Sequence, residues 1–310
     1  MRYMRTKRWA YGAVLALVLS GCGSNETGVG AGPSFAEQYD AALGEPDPTR
    51  RARLLMSIAL GQHEGKDTRG AEQSLDEATR AADEIQEPLG RATLYTQLAG
   101  TQARIDNRLD ARRALREAAA SAGEIESVEA RAAQLVAIAD VAGYRMKDAG
   151  RASDILQEAE TLAGEVEDPK GKVYILAAAG KAHYKMKNKD DGQRLFDEAE
   201  STARAIDAPV KRADALVDIA AAMLIVRQTE QATALLDEAA TAADQIDNEY
   251  GQVFALVNIA DRYVKAGQTS KAQQLAQQAD TLSNQIKDNI LRQQAQEKVA
   301  ALQATLPRKG

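Results

Sequence analysis

Few side chains in this chain have types and spacings that could do chemistry. The two histidines, His63 and His183, stand 120 residues apart. A zinc centre needs clustered Cys, His or carboxylate ligands, and no stretch supplies that spacing. Paired carboxylates could do general acid–base work, and Asp76-Glu77, Asp197-Glu198 and Asp237-Glu238 are such pairs. They recur at one fixed position of a repeating unit, which marks a solvated helix face rather than a dyad. GVGAG (28–32) is glycine-rich, but no predicted strand leads into it, so the strand–loop–helix setting of a phosphate cradle is missing. No nucleophile-elbow pattern occurs. The sequence predicts no catalytic residue, no metal ligand, no cofactor and no enzyme. Its one thiol, Cys22, cannot form an internal disulfide.

An internal repeat sets the elements that would hold any site. Arg51, Arg91, Arg131, Lys172, Arg212 and Arg292 open similar segments, and Gln252 alone breaks the basic column; successive starts lie 40 residues apart, with one extra residue in the third segment. Such a period means a stacked array rather than a globule around one pocket. Counted from each opener, offset 4 reads Leu55, Tyr95, Leu135, Leu176, Leu216 and Leu256, and offsets 7 and 8 read Ile58-Ala59, Leu98-Ala99, Ile138-Ala139, Ala179-Gly180, Ile219-Ala220 and Ile259-Ala260. That spacing is one apolar stripe of a helix. A second stripe, such as Ala71, Leu75, Ala78, Ala82 and Ile85, predicts a second helix of about 15 residues. Charged gaps such as EGKDTR (64–69), RIDNRLD (104–110) and KNKDD (187–191) read as short turns between the two. Asp47-Pro48 and Asp168-Pro169 read as helix starts, whereas Glu87-Pro88 and Ala208-Pro209 keep the proline without an ideal cap. No strand signal appears. The prediction is all-α: an α-solenoid of about six 40-residue helix–turn–helix repeats over 50–291. A capping helix at 35–49 and a capping helix and tail at 292–310 close it as half-repeats, since open ends would expose apolar surface. The basic column has two readings: cations along one edge could hold an acidic partner or lipid head groups, or each could pair locally beside its helix start.

The pattern resembles the tetratricopeptide (TPR) family over roughly residues 50–305. The resemblance is carried by the apolar positions at offsets 4, 7 and 8, then by Ala71, Leu75 and Ala78, Ala111, Leu115 and Ala118, and Ala232, Leu236 and Ala239 at offsets 20, 24 and 27. Phe196 takes the large position of the fourth repeat, and Gly267 and Tyr263 are the clearest survivors of the family glycine and tyrosine. The family period is about 34 residues, so the resemblance is TPR-like, with the six extra residues expected in the second helix or the link. It implies a partner groove lined by the first helices at offsets 2, 5, 9, 12 and 13. Carried onto this chain, that groove includes Arg104, Asp140, Tyr144, Tyr174, Lys181, Tyr184, Lys185, Phe254 and Asp261. Aromatics among charges suit a peptide or helix ligand; alternatively several of these rings fill gaps between repeats.

Residues 1–21 resemble a bacterial lipoprotein signal peptide. Arg2, Arg5, Lys7 and Arg8 precede the apolar run AVLALVLS (13–20), which is too short to span a bilayer, and Leu19-Ser20-Gly21-Cys22 resembles the lipobox. The resemblance implies thioether lipidation of Cys22 followed by cleavage after Gly21, with GSNETGVGAGPS (23–34) as a flexible tether. It also implies a lipid-anchored address in a bacterial cell envelope: the periplasmic face of the outer membrane if the cell is Gram-negative, otherwise the extracytoplasmic face of the cell membrane. Loss of residues 1–21 takes the formal charge from −6 to about −10, and an acidic chain without basic runs is a poor nucleic-acid binder. The expected function is a membrane-anchored TPR-like scaffold or adaptor with a protein or peptide partner. The alternative is an envelope protein that binds a solute or glycan on its groove aromatics; an enzyme with an inconspicuous carboxylate site stands third.

Overall fold

The computed structural model describes residues 32–306; the signal peptide, Cys22 and residues 307–310 lie outside that range. Fourteen α-helices and one π-helical turn, with no strand, make up the described residues. In chain order they are α1 (Phe35–Leu43), α2 (Pro48–Glu64), α3 (Thr68–Asp83), α4 (Pro88–Arg104), α5 (Arg108–Gly123), α6 (Val128–Asp140), the π turn (Val141–Arg145), α7 (Ala149–Glu165), α8 (Pro169–Lys185), α9 (Lys189–Arg204), α10 (Pro209–Ile225), α11 (Thr229–Ala243), α12 (Glu249–Lys265), α13 (Thr269–Ser283) and α14 (Asn289–Thr305). They pack pairwise in consecutive repeats, an all-α solenoid. The chain divides into two compact units, Met1–Ala118 and Ala119–Gly310. No helix of the described residues is long and apolar enough to cross a membrane.

The apolar stripes are the core. Leu55, Leu98, Ile138, Leu176, Leu216 and Leu256 are buried, as are Leu75, Leu115, Phe196, Leu236 and Ala276 at offset 24 and Leu156 at offset 25, one place on because of the extra residue. The alanine columns lose all contact with water, for example Ala71, Ala111, Ala152, Ala232 and Ala272. Small side chains there let paired helices approach closely. α1 joins the array as a lone second helix. Gln73 donates to the Tyr39 hydroxyl, 34 residues back, and the same 34-residue step joins Arg194 to Glu160, Arg204 to Glu238 and Lys271 to Asp237 along the second helices of the other unit.

Each first helix ends in a left-handed residue followed by the N-cap of the second. Lys66, Asp106, Lys147, Lys187, Arg227 and Gly267 have φ between 60° and 75°. In the first repeat, Lys66 N–H donates to His63 O and Asp67 N–H to Gln62 O; this pairing satisfies the carbonyls a helix end leaves open. The third repeat must fit its extra residue before this fixed turn, and it does so as the π turn. Met146 N–H donates to Val141 O, and Asp148 N–H reaches back to Ala142 O.

The basic column is spent locally. Arg51, Arg91, Arg131, Arg212 and Arg292 each donate to a carbonyl six residues earlier, those of Glu45, Ile85, Ile125, Ile206 and Ile286. Four of the five are isoleucines in the link two or three residues past the end of the preceding second helix, so each arginine ties that link to the next first helix. Lys172 pairs with Glu198 at 3.3 Å. The local reading therefore holds, and the edge offers no free row of cations.

Caps at the first helices follow the sequence with one surplus and one gap. Asp47, Ser127, Asp168 and Asn248 accept from the backbone three residues on, and Glu87, although not an ideal cap, accepts from Leu89 N–H at 2.9 Å. Ala208 has the same extended backbone, φ −68° and ψ 114°, and no side-chain cap. Ala208→Asp is expected to stabilise the protein by about 1 kcal/mol, seen as a rise in thermal midpoint of about 2–4 °C. An unchanged midpoint would mean that packing at Pro209 already saturates this helix start.

Candidate interaction surface

The first helices of the second unit turn one stripe away from their partners. Offsets 1, 4, 7, 8 and 11 are buried; offsets 2, 6, 9 and 13 are open or half-buried. The expected groove position at offset 5 is not part of this stripe in the third to fifth repeats. Val136, Ala177 and Val217 are buried, because each first helix packs against neighbouring first helices as well as its own second helix, which widens its buried arc.

Four of the residues expected in a groove converge. Lys185 Nζ lies 2.8 Å and 3.0 Å from the two carboxylate oxygens of Asp140 and 4.9 Å from the centre of the Tyr144 ring. The π turn puts Tyr144 there, 42% exposed. Lys147 Nζ stands 4.8 Å from the same ring and the Arg145 guanidinium 5.9 Å, cation–π distances that Tyr tolerates well. Lys181 is half-buried beside this group. Burial pushes its ammonium below the usual lysine range; Asp140 opposes that shift and Lys185 adds to it. Four cations thus surround one ring and one carboxylate, a local surplus of positive charge on a chain that is acidic overall.

The other expected residues lie elsewhere. Tyr174 is 53% exposed and near the start of α8. Tyr184 is half-buried, donates to Gln193 Oε1 at 2.8 Å and stacks on Phe196 with ring centres 5.5 Å apart. Phe254 packs on Tyr250 at 4.6 Å, and Tyr250 donates to Gln294 Oε1. Asp261 is held by Lys265 at 2.7 Å and Arg262 at 3.5 Å. Arg104, in the first unit, is exposed at the end of α4.

A second charged group on the same stripe went unread in the sequence. Lys170 Nζ donates to Asp214 Oδ2 at 2.8 Å, which raises the lysine above its usual range against its own desolvation. Beside it Asp218 is pushed up by burial, with Lys170 opposing and Asp214 adding. The signal was the recurrence of charge at offsets 2 and 6 of the fifth repeat, visible only once the open stripe is known. His183 is a core residue: buried, its Nε2 is 3.3 Å from Glu160 Oε1 and its Nδ1 3.3 Å from Asn188 Nδ2. Burial favours neutral Glu160, but hydrogen bonds from His183 and Arg194 outweigh it and hold the carboxyl below its usual range.

No family model matches the chain, and no curated protein does either. Among solved structures it is similar to Ton1535 from Thermococcus onnurineus NA1, at 16% identity over 85% of this chain and 94% of that one, with a TM-score of 0.41. It is also similar to a Signal Transduction ATPase with Numerous Domains protein with a tetratricopeptide repeat sensor, PH0952 from Pyrococcus horikoshii, at 17% identity over 83% of this chain and 41% of that one, with a TM-score of 0.37. Both likenesses are too distant to transfer a function.

Proposed function

We propose that this protein is a TPR-like scaffold that presents the open stripe of its first helices to a protein partner, with no catalytic role. The observation that supports it most is the convergence of Asp140, Tyr144, Lys181 and Lys185 around the π turn. An exposed ring ringed by cations suits a segment bearing an acidic and an apolar residue, and single-turn π bulges are frequent at functional sites. The lipobox-like Leu19-Ser20-Gly21-Cys22 supports a lipid anchor in a bacterial envelope, which would raise the local concentration of scaffold and partner.

The test is crosslinking in the native membrane with photoreactive residues at Tyr144 and Tyr174, and at exposed Asp197 on α9 as control. One protein captured at both tyrosines, absent at Asp197, and lost in Cys22→Ala is the expected result. Tyr144→Ala with Lys185→Gln should then weaken that capture about tenfold or more while the thermal midpoint stays within a few degrees. Equal capture from α9 would remove the stripe from consideration. Bound small molecules with no protein captured would favour the solute- or glycan-binding reading.

A further inference from the structure

The first unit holds a cleft of about 500 Å³ between α3 and the turn joining α4 to α5. Its charged lining is Glu72, Asp76, Asp106 and Asp110, and Leu75 and Ile105 supply apolar wall. No basic side chain lines it. Asp110 is engaged by Asn107 at 2.8 Å and Arg113 at 3.0 Å. Among the described residues, no hydrogen bond or ion pair is made by the carboxylates of Glu72, Asp76 or Asp106.

The decisive group is Gln102. It lines the cleft, is only 5% exposed, and its Oε1 is buried with no hydrogen-bond partner. Buried acceptors are almost always satisfied, and the preceding repeat shows how this one could have been. Gln62, forty residues earlier, accepts on its Oε1 from Ser74 Oγ at 2.7 Å. The residue equivalent to Ser74 in the second repeat is Ala114, so the hydroxyl is missing and the acceptor stays open. Among the described residues, no three carboxylates are grouped closely enough to hold a metal ion. A donor on a longer reach is needed instead, and the walls at Leu75 and Ile105 suit an alkyl stem.

We propose that this cleft binds a primary ammonium or guanidinium group on an aliphatic stem, with Gln102 Oε1 as the deep acceptor and Asp106, Asp76 and Glu72 as counter-charges. The chemistry is shared by a lysine or arginine side chain on a polypeptide and by a free polyamine. The inference does not rest on the reading given for the second unit.

Calorimetric titration of the purified full-length protein with spermidine, with an acetylated Gly-Lys-Gly amide and with the matching Gly-Glu-Gly amide tests it at about 150 mM salt, where loose surface attraction is screened. Saturable binding of spermidine or of the lysine peptide, and none of the glutamate peptide, is expected; the tighter of the two binders identifies the source. Asp106→Asn should weaken it about tenfold or more. Ala114→Ser is the sharper variant, because it keeps every carboxylate and supplies the acceptor with the internal partner that Gln62 already has. It should weaken binding several-fold while raising, not lowering, the thermal midpoint. Gln102→Leu should weaken binding similarly if Ala114→Ser fails to fold. Absence of binding by both amines, or binding indifferent to Asp106→Asn and to Ala114→Ser alike, would overturn the proposal.

Discussion

Phe196→Ala is expected to destabilise the second unit by about 3–5 kcal/mol, read from urea unfolding followed by circular dichroism. Phe196 is fully buried and stacks on Tyr184 with planes 22° apart. Its bulk fits because two alanines of the repeat pattern are glycines in this repeat alone. A Cβ on Gly180 would sit 3.0 Å from Gly192 O and 3.1 Å from Phe196 Cδ1; a Cβ on Gly192 would sit 2.5 Å from the Tyr184 ring and 3.0 Å from Gly180 O. Intrinsic helix propensity favours alanine over glycine by about 0.5–1 kcal/mol. Gly180→Ala and Gly192→Ala are nevertheless expected to destabilise by about 1–3 kcal/mol, because the backbone oxygen between the helices cannot step aside as a flexible side chain would. The three positions therefore act together. In a Phe196→Leu background, Gly192→Ala should cost less by at least about 0.5 kcal/mol. Strictly additive losses would show that aromatic and glycines are unrelated.

That set was half-legible in the sequence. Phe196 stood out against leucine at offset 24 and Gly180 against alanine at offset 8, because a strict period turns any departure into a signal. What the period could not supply was the contact between them, since the approach of two helix backbones depends on the packing angle. The same limit applies elsewhere. The extra residue of the third repeat was visible as a step of 41, but not its absorption as a π turn; the left-handed residue after it fixes the turn from downstream, so the surplus is forced back into the helix. The alternation of stripes fixed which positions are buried against the partner helix. It missed offset 5, whose burial comes from the neighbouring repeats. The clustering of Asp140, Tyr144, Lys181 and Lys185 was legible only as membership of a face. Lys185 and Asp140 are 45 residues apart, and that pairing depends on how far one first helix slides past the next. Of the two readings of the arginine column, local pairing is the one the structure shows, because a guanidinium at a helix start is within reach of the carbonyls in the link that precedes it.

The triple variant Lys66→Gly, Lys187→Gly, Arg227→Gly is expected to stabilise the protein by about 1.5–3 kcal/mol, the largest gain available without touching the core. All three residues hold positive φ, 65°, 70° and 66°, in the position where Gly267 sits at 75° in the sixth repeat. A left-handed residue with a Cβ costs about 1–2 kcal/mol, and glycine returns roughly 0.5–1 kcal/mol of that as extra freedom in the unfolded chain. The net gain is about 0.5–1 kcal/mol at each site, and sites a repeat or more apart should add. Lys147 and Asp106 share this geometry but stay unchanged in this variant. One packs over the Tyr144 ring and the other faces the cleft, so glycine there would trade a proposed contact for stability. Gly267→Ala supplies the opposite sign and should destabilise by about 1 kcal/mol or more, although nothing lies within 4 Å of the added Cβ. If Gly267→Ala is neutral, the turn relaxes out of the left-handed region without cost, and the gain expected from the triple variant disappears with it. If it destabilises while the triple variant stabilises, the turn conformation itself is the constraint that every repeat must meet, and the π turn of the third repeat is the consequence of meeting it with one residue too many.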